Sequence, residues 1–566
     1  MDKKCALSIL FIIAFISVCI CVILIFGIPS ESRISKQPHI VVIIADDLGW
    51  NDVGFHGANE IPTPNIDALA YNGVILNRHY VLPTCTPSRA AFFTGRYPIR
   101  TGMQGYPLRA AEPRSIPLNN SLLPEYLRML GYTTALVGKW HIGYHTNNHI
   151  PTRRGFDSFL GYYSGYIEYF THKLIESGQS GYDIHRLIGN NHKIEYRYDY
   201  MTDIITAEAE SIILSHNTLK PMYLQLSHLA PHSSTAKDLL EVRSWKETND
   251  TFGYIKDINR RKYASVVTTL DESVGRVVDA LKRAEMLDNS IIIFLSDNGA
   301  QTVGEVHRNY GSNYPLRGLK SSFFDGAVRS AACIYSPLIE SRSRISTQLI
   351  HISDWLPTLY SAAGGDPSDL EGLDGVDQWS AIKHAGNSKR QSLLINIDEQ
   401  IDSEAALVGQ YKLVTDRSIF SEYYGYTGND PSYPKYNETQ VLTSPAASAI
   451  ASISPKLNAD KLKQLRKEGM VICQNDKFSN CMNRTCLFDI YEDPCEITDL
   501  SSKYPEVVKR LSTFIDSYKL VMMKQTNMPV DPTGFPHNFN DTWMPWLPEG
   551  DLPAKCILPS CVMTKQ

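Results

Sequence analysis

Four apolar segments that end in charged or polar side chains constrain the fold of this chain most strongly. They are HIVVIIADD at 39–47, TTALVGKWH at 133–141, PMYLQLSH at 221–228 and IIIFLSDNG at 291–299. Continuous apolar, β-branched runs of this length are typical of strands that are buried on both faces. Sheets of such strands carry their functional sites beyond the carboxyl ends, which is where all four segments become polar. The segments therefore predict an α/β fold with a large mixed, mostly parallel sheet and helices on both faces.

Helical patterns separate these strands. After Tyr263, apolar residues recur at offsets of 3, 4, 7, 11, 14, 15 and 18, which predicts an amphipathic helix leading into the strand at 291–299. Past about residue 400 the strand-like pieces become shorter, and one further amphipathic helix is expected at 507–518. We therefore divide the 566 residues into three parts by length and pattern. These are a leader and linker at 1–36, the main α/β catalytic domain at 37–400, and a smaller, Cys-rich C-terminal α+β domain at 401–566.

The N-terminus predicts entry into the secretory pathway. Residues 5–28 carry no charge and follow Lys3 and Lys4, which suits either a cleaved signal peptide or a signal anchor. If this segment is not cleaved, it is the one contact with a membrane that we expect. The protein is then expected to be lysosomal or extracellular, or alternatively membrane-tethered with its catalytic domain in the lumen.

Cysteines and glycosylation sequons agree with an oxidising compartment. Six of the 11 cysteines crowd the C-terminal end, a pattern typical of disulfides whose pairing the spacing leaves open. They are Cys473, Cys481, Cys486, Cys495, Cys556 and Cys561. Asn-x-Ser/Thr sequons, which are expected to carry glycans, occur at Asn119, Asn249, Asn437, Asn483 and Asn540.

The net charge excludes one class of partner. Lys and Arg number 55 against 60 Asp and Glu, which gives a formal charge of −5. No overall positive field therefore recruits nucleic acid or an anionic membrane surface. An anionic ligand must be bound by a local cluster of charges.

Two dipeptides at strand ends predict a metal site. Asp46 and Asp47 would point to opposite faces of a strand unless the chain turns, as Gly49 suggests. Asp297 and Asn298 follow a second strand. Carboxylate and amide oxygens, with no thiolate or imidazole among them, favour Ca²⁺ or Mg²⁺ over zinc. The alternative is that Asp and Asn before glycine only form turns and helix caps.

Cys85 begins the segment CTPSRAAFFTGR. Thr86 as a cap, Pro87 at the first helical position and Gly95 at the end predict a short helix, with Cys85 just before its N-terminus. Free backbone N–H groups at that point, together with Arg89, suit a bound sulfate or phosphate. The alternative is that Cys85 is a small buried residue without a chemical role.

This segment resembles the C-x-P-S-R-x-x-x-x-T-G-R motif of the type I, formylglycine-dependent sulfatases. Further segments of the family agree in order along the chain, namely ADDLGWNDVGFHG (45–57), PTPNIDALA (62–70), GKWHIG (138–143), LAPH (229–232), SDNG (296–299) and RGLKSSFFDGAVR (317–329). PTCTPSRAAFFTGRYPIRTGMQ looks most like the arylsulfatase B group, the N-acetylgalactosamine-4-sulfatases. The resemblance implies an alkaline-phosphatase-like fold and an arylsulfatase-type hydrolase of sulfate monoesters.

The resemblance also implies a nucleophile and a metal. Cys85 would be oxidised to Cα-formylglycine by the formylglycine-generating enzyme, and the hydrate of that aldehyde would attack sulfur. One Ca²⁺ per chain would be held beside the modified Cys85 by ligands that match Asp46, Asp47, Asp297 and Asn298.

Basic side chains complete the implied site. Arg89 and Lys139 match residues that hold and polarise the hydrate, and His141 matches the partner of its second hydroxyl. His232 and Lys320 match groups that, with Lys139, bind the sulfate and assist the leaving oxygen. Because an imidazole must be protonated to act as an acid, a lysosomal form is expected to work best in mild acid.

Other functions and substrates stay open. A two-zinc phosphatase of the same fold would need Asp-His pairs and a Ser or Thr nucleophile, whereas this chain has Asp297-Asn298 and Cys85. A non-catalytic relative that binds sulfated glycans would have no chemical need for the intact set. Sulfated sugars of the N-acetylgalactosamine-4-sulfate type and aryl sulfates are the expected substrates, with a specialised small-molecule sulfate such as a glucosinolate as the alternative. Selectivity is expected to come from loops at 160–200 and 230–260.

Overall fold

A computed structural model describes residues 37–195, 198–304, 307–420, 422–428, 430–473 and 477–549. The predicted signal segment at 5–28 and the cysteines at 556 and 561 lie outside these ranges. Within them, no helix has both the length and the apolar character needed to span a bilayer.

Strands make up one large sheet, one smaller sheet and two short ladders. Their bounds are β1 His39–Ala45, β2 Val74–Leu76, β3 His79–Tyr80, β4 Thr133–Lys139, β5 Ser158–Tyr162, β6 Lys173–Glu176, β7 Gln179–Tyr182, β8 His185–Ile188, β9 Asn191–Ile194, β10 Met222–Ser227, β11 Ser290–Ser296, β12 Ala332–Tyr335, β13 Arg344–Ser346, β14 Ile350–His351, β15 Ser392–Asp398, β16 Ser403–Val408, β17 Tyr411–Thr415 and β18 Thr485–Asp489. The large sheet has ten strands in the order β13-β2-β12-β11-β1-β10-β4-β5-β8-β9. The smaller sheet has the order β15-β16-β17-β18, and β3 pairs with β14 and β6 with β7.

The four apolar segments form the centre of the large sheet, as predicted. β1 pairs in parallel with β10 and β11, and β10 pairs in parallel with β4. The register aligns Ala45 with Ser296 and Ile44 with Ser227, so the strands end at one edge. Antiparallel strands lie toward both margins, which makes the sheet mixed. The carboxyl ends of the central strands therefore deliver their polar residues to a common place.

Helices cover both faces of this sheet. Their bounds are α1 Pro64–Asn72, α2 Cys85–Thr94, α3 Leu123–Met129, α4 Met201–Ser215, α5 Trp245–Phe252, α6 Ile258–Arg283, α7 Asp325–Val328, α8 Trp355–Ala362, α9 Trp379–His384, α10 Glu438–Leu442, α11 Pro445–Ile450, α12 Ala459–Gly469 and α13 Pro505–Lys519. Val41 and Ile43 of β1 belong to the core that includes Val266 of α6, whereas Val42 belongs to the core that includes Phe92 of α2. Alternate residues of a buried strand thus support helices on opposite sides, which confirms the predicted layers.

The smaller sheet is antiparallel and packs under α13. It starts at Ser392, a few residues before the predicted domain boundary at residue 400. From Pro38 onward the described residues form one compact unit, and the division of that unit at 400 remains a prediction. Disulfides join Cys473 to Cys495 and Cys481 to Cys486, which gives the pairing of four of the six C-terminal cysteines.

Candidate active site

The two acidic dipeptides lie together at the carboxyl edge of the large sheet. Asp46 and Asp47 follow β1, while Asp297 and Asn298 follow β11, and all four side chains are buried. Asp47 has a φ of 64°, so the chain turns at this residue instead of continuing the strand. The Asp47 N–H donates to Asp297 Oδ1 over 3.2 Å, which joins the two strand ends. The turn predicted before Gly49 is therefore present.

Three buried cations face these carboxylates. Lys139 Nζ lies 2.7 Å from Asp46 Oδ2, and Lys320 Nζ lies 2.7 Å from Asp47 Oδ2. Arg89 Nη2 lies 2.8 Å from Asp297 Oδ2 and 3.8 Å from Asp46 Oδ1. Because three positive groups balance three carboxylates, the cluster is neutral as it stands. An added divalent cation would leave it positive and suited to an anionic ligand.

The donors fit a hard divalent cation. Asn298 Oδ1 is buried without a hydrogen-bond partner, while its Nδ2 donates to Asp47 Oδ1 over 2.6 Å. Ligand atoms of Asp46, Cys85 and Asp297 lie within 4.8 Å of one another. Burial and the neighbouring charge of Asp46 raise the pKa of Asp297, because its ionised form would lie in a buried site beside another carboxylate. Oxygen donors, an orphaned amide oxygen and this repulsion fit Ca²⁺ at the predicted ligands.

Cys85 is the first residue of α2 and faces this cluster. The helix begins earlier than predicted, because the Ser88 N–H already donates to Thr84 O. Thr86 is therefore not the cap, and Pro87 is not the first helical residue. Both lie in the first turn, where the missing N–H of Pro87 costs no helical hydrogen bond. Gly95 ends the helix with a φ of 64°, as predicted. The Cys85 thiol is free and buried, and burial raises its pKa, so the unmodified thiol is a poor nucleophile.

His141 lies beside the start of α2. Its Nε2 is 2.8 Å from Leu108 O and 3.2 Å from Thr86 Oγ1, while its Nδ1 is buried without a partner. The carbonyl requires a proton on Nε2, so Nδ1 is the free acceptor. Burial, and then the charge of Lys139, lower the pKa of His141. Gly165 permits this placement, since a Cβ there would come within 2.9 Å of the ring.

His232 contacts both the acidic and the basic groups. Its Nδ1 lies 2.5 Å from Ser233 O, and its Nε2 lies 3.3 Å from Lys320 Nζ and 3.5 Å from Asp47 Oδ2. Burial and the charges of Lys320 and Lys139 lower the pKa of His232. These effects favour the neutral imidazole as long as no anion is bound. A bound anion would shift the pKa upward because it offsets the lysines.

A cavity of about 270 Å³ opens onto Cys85, His141, His232 and Lys320. Its outer wall contains residues that the sequence did not single out, namely Tyr106, Arg109, Tyr166, Glu176, Gln301, His307 and Phe420. Tyr166, from the predicted loop at 160–200, stacks on His232 with ring centroids 5.4 Å apart. Arg109 Nε lies 3.5 Å from Glu176 Oε1 at the rim. The structure thus brings all the predicted site residues together and adds an aromatic and charged rim.

Little in the sequence could have identified the rim residues. Tyr106 and Arg109 follow the Cys85 segment closely, which is the one available signal. His307 lies between the SDNG and RGLK segments, in a stretch without strand or helix periodicity. Burial and the charges of Lys320 and Lys139 lower its pKa to about 3. Residues on irregular chain reach the cavity only through the tertiary fold.

Comparison with known proteins gives consistent matches. The chain matches the Sulfatase family over residues 38–365. It is 35% identical to arylsulfatase J of Mus musculus over 526 residues, which cover 91% of this chain and 81% of that protein. It is 30% identical to N-acetylgalactosamine-6-sulfatase of Sus scrofa over 391 residues, which cover 67% of this chain and 71% of that protein.

Solved structures agree with these matches. The crystal structure of Ps i-CgsB superposes with a TM-score of 0.68 and 25% identity, and covers 87% of this chain and 95% of that chain. Ps i-CgsB in complex with k-i-k-neocarrahexaose superposes with a TM-score of 0.67 and 24% identity, covering 88% of this chain and 96% of that chain.

Proposed function

The chain belongs to the sulfatase family, and we propose that it hydrolyses sulfate monoesters of sugars or aryl alcohols with Cys85 as the precursor of its nucleophile. The family and the alkaline-phosphatase-like fold make it a sulfuric ester hydrolase. The finer likeness to the arylsulfatase B group remains part of the proposal.

One observation carries the proposal. The buried Cys85 side chain begins a helix and faces an oxygen-rich acidic cluster in which Lys139, Lys320 and Arg89 pair with the carboxylates. A purely structural cysteine would not require three buried cations and three buried carboxylates around it, because each uncompensated charge is costly. The arrangement suits a reaction at a tetrahedral oxyanion.

Two groups from outside the encoded chain would complete the site. Bound at Asp46, Asp47, Asp297 and Asn298, Ca²⁺ would neutralise sulfate oxygens, and the aldehyde hydrate made from Cys85 would supply the attacking hydroxyl. Lys139 and Lys320 are placed to bind the sulfate, since each ammonium has donors beyond those given to Asp46 and Asp47. Arg89 orients Asp297 through its Nε and Nη2 groups.

In this proposal each histidine moves a proton at one ring nitrogen, and the hydrogen bonds of its other nitrogen support that assignment. His141 holds a proton on Nε2 through Leu108 O, which leaves Nδ1 to accept one. His232 donates from Nδ1 to Ser233 O, so Nε2 is the atom that would take up a proton once a bound sulfate offsets the lysines and would then give it to the departing alcohol. Lys320 Nζ lies 3.3 Å from the same nitrogen, so a sulfate oxygen bound by Lys320 would lie close to it.

Sulfated sugars are the favoured substrate class. Two relatives at 30% identity or more are named arylsulfatase J and N-acetylgalactosamine-6-sulfatase, and the related Ps i-CgsB structure holds an oligosaccharide. Tyr106 and Tyr166 line the cavity mouth and offer flat faces of the kind that sugars stack on. We propose N-acetylgalactosamine sulfates as the first substrates to test.

The proposal includes a compartment and a maturation partner. Conversion of Cys85 requires the formylglycine-generating enzyme, so the chain would mature in the secretory pathway and then reach a lysosome or the exterior, or stay tethered by 5–28. The two disulfides agree with an oxidising compartment.

Replacing Cys85 tests the proposal. We expect Cys85→Ala to abolish hydrolysis of 4-nitrophenyl sulfate and of N-acetylgalactosamine sulfates, because the variant has no precursor for the aldehyde. Cys333→Ala is the matched control, since Cys333 is the other buried free thiol among the described residues and lies on β12 outside the cavity. Full activity of Cys85→Ala would refute the proposal.

A further inference from the structure

A second cavity adjoins the catalytic one. It measures about 360 Å³ and lies between the chain at 83–107 and the beginning of the smaller sheet. Tyr106, Pro107 and Ser321 line both cavities, so a ligand bound beside Cys85 can continue into this space. Ser321 directly follows Lys320, which places the junction of the cavities next to the sulfate-binding lysine.

Two amide oxygens on the walls of this cavity lack partners. Asn396 and Gln104 are both buried, and neither Asn396 Oδ1 nor Gln104 Oε1 has a hydrogen-bond donor. Their amide orientations are fixed, because Asn396 Nδ2 donates to Gln104 O over 2.8 Å and Gln104 Nε2 donates to Met523 O over 2.8 Å. A flip of either amide would set oxygen against oxygen. Both oxygens are enclosed by protein atoms, so they lie behind the cavity surface and are not offered to a ligand.

Asp398 adds a carboxylate to the same walls. It accepts hydrogen bonds from Gln400 N and Gln525 Nε2, and no lysine or arginine lines the cavity among the described residues. Burial raises the pKa of Asp398, and Glu399 adds a second negative charge nearby. Tyr106 and Ile401 expose apolar surface at the edge, with 58% and 45% of their areas accessible. The cavity thus combines the acceptor oxygens and negative charge of Asp398 with apolar edges.

We propose that this cavity is a saccharide subsite for an uncharged, hydroxyl-rich sugar unit linked to the sulfated sugar. Sugar hydroxyls donate hydrogen bonds to carboxylate oxygens such as those of Asp398, and the apolar edge of Tyr106 suits a sugar face. A uronic acid or a second sulfate would meet Asp398 without a compensating cation, which disfavours it. The inference rests on the proposed function and narrows its substrates to chains with a neutral neighbour.

A substrate panel tests the subsite on the mature enzyme. The panel contains 4-nitrophenyl sulfate, N-acetylgalactosamine 4-sulfate and 6-sulfate, and the same sulfated sugars linked to galactose or to glucuronic acid. We expect kcat/KM to be about tenfold higher with the galactose neighbour than with the glucuronic acid neighbour. A disaccharide that is not turned over is used as an inhibitor of 4-nitrophenyl sulfate hydrolysis, where the same order of affinity is expected.

Asp398→Asn separates the subsite from the catalytic cavity. The variant keeps an oxygen for Gln400 N and removes the charge, so we expect the galactose preference to shrink to about twofold while 4-nitrophenyl sulfate turnover is unchanged. Asp402→Asn is the matched control, since Asp402 is exposed, lies four residues further along and pairs with Arg417. It should preserve the preference.

The outcomes distinguish the two levels of the proposal. Turnover of 4-nitrophenyl sulfate with no preference for galactose over glucuronic acid, or an Asp398→Asn effect equal on all substrates, would overturn the subsite alone. Failure to hydrolyse any sulfate ester would overturn the proposed function, and the subsite with it.

Discussion

Paired charges at the active site make each residue's environment depend on its neighbours. Asp46 forms ion pairs with Lys139 and Arg89, and Asp47 forms one with Lys320. Removing one of these cations would leave a buried carboxylate without its partner and repelled by the neighbouring carboxylates. His232 sits where these groups meet. Burial and then the two lysines lower its pKa, so its proposed role as an acid depends on a bound sulfate that offsets the lysine charges.

His232 is predicted to matter most for alcohols that leave poorly. We expect His232→Gln to lower kcat by about 100-fold or more on a sulfated sugar, because a sugar alkoxide needs a proton. The loss on 4-nitrophenyl sulfate should stay below about tenfold, since nitrophenolate departs unprotonated. Steady-state kinetics on both substrates measure the difference.

His228→Gln provides the control for this test. His228 is buried four residues earlier, and its Nε2 lies 3.3 Å from Ser273 Oγ, away from the cavity lining. The His228→Gln variant should hydrolyse the sulfated sugar and 4-nitrophenyl sulfate as the parent does. An equal loss on both substrates in His232→Gln would limit His232 to sulfate binding.

At the scale of elements, the N-terminus of helix α1 donates hydrogen bonds to a carboxylate of another helix, α6. Asp271 of α6 accepts from the Asn65 N–H over 2.9 Å and from the Ile66 N–H over 2.8 Å. A negative group at a helix N-terminus satisfies its free donors. Burial nevertheless outweighs these donors and raises the pKa of Asp271 to about 7.

This contact predicts a pH dependence of stability. The folded chain retains the Asp271 proton up to about pH 7, whereas the unfolded chain releases it near its ordinary value of 3.8. The native state thus binds more protons between these values, and its stability falls as pH rises through that window, by at most about 1.4 kcal/mol per pH unit. Asp271→Asn should flatten this part of the Tm-against-pH curve.

Calorimetry from pH 4 to 8 measures the curve, and Asp250→Asn on exposed α5 is the control. Among the residues that the structure describes, Asp250 pairs with Lys246 alone and on the surface, so its replacement should leave the slope as in the parent. An unchanged slope in Asp271→Asn would show that Asp271 is ionised in the folded chain.

The sequence predicted the elements that periodicity defines. β1, β4, β10 and β11 follow from continuous apolar runs, and α6 follows from its helical spacing. The predicted start of α2 is too late along the chain. Thr86 and Pro87 have the residue types of a cap and a first helical residue, but the hydrogen bond from Ser88 N to Thr84 O makes Cys85 the first residue of the helix. Residue preferences at helix caps describe only the most frequent arrangement. Here the Thr86 hydroxyl accepts from the Leu108 N–H instead of capping the helix.

At the scale of the whole molecule, the smaller sheet supports the chain that carries Lys320. Lys412 of β17 lies 2.7 Å from both Asp325 Oδ1 and Glu496 Oε1, and Asp325 begins α7 just after the Lys320 segment. The Arg317 guanidinium donates to Glu496 O over 2.9 Å. The C-terminal part of the chain therefore helps to fix the active site.

Neither this support nor the rim could be predicted from the sequence. Asp46, Asp47, Cys85, Asp297 and Asn298 are in segments whose strand ends or motif identify them. Lys412, His307 and Tyr106 reach their places through contacts between distant parts of the chain, which spacing does not encode.

Calcium is predicted to stabilise the whole fold. Its binding to the native state alone should add about 2.7 kcal/mol at a concentration 100 times its Kd, and a chelator should reverse this gain. Thermal unfolding with EDTA and with added Ca²⁺ measures the shift in Tm. Asn298→Ala should weaken the response because it removes the orphaned amide oxygen, whereas Asn72→Ala at the end of α1 should not. The same Tm with and without calcium in the parent protein would contradict the metal assignment.

Mass spectrometry of the tryptic peptide 79–89 from the mature, secreted protein tests the central claim most directly. The proposal predicts that this peptide, HYVLPTCTPSR, is about 18 Da lighter than its cysteine form because Cys85 has become formylglycine. A fully active preparation whose peptide retains an unmodified cysteine would contradict it.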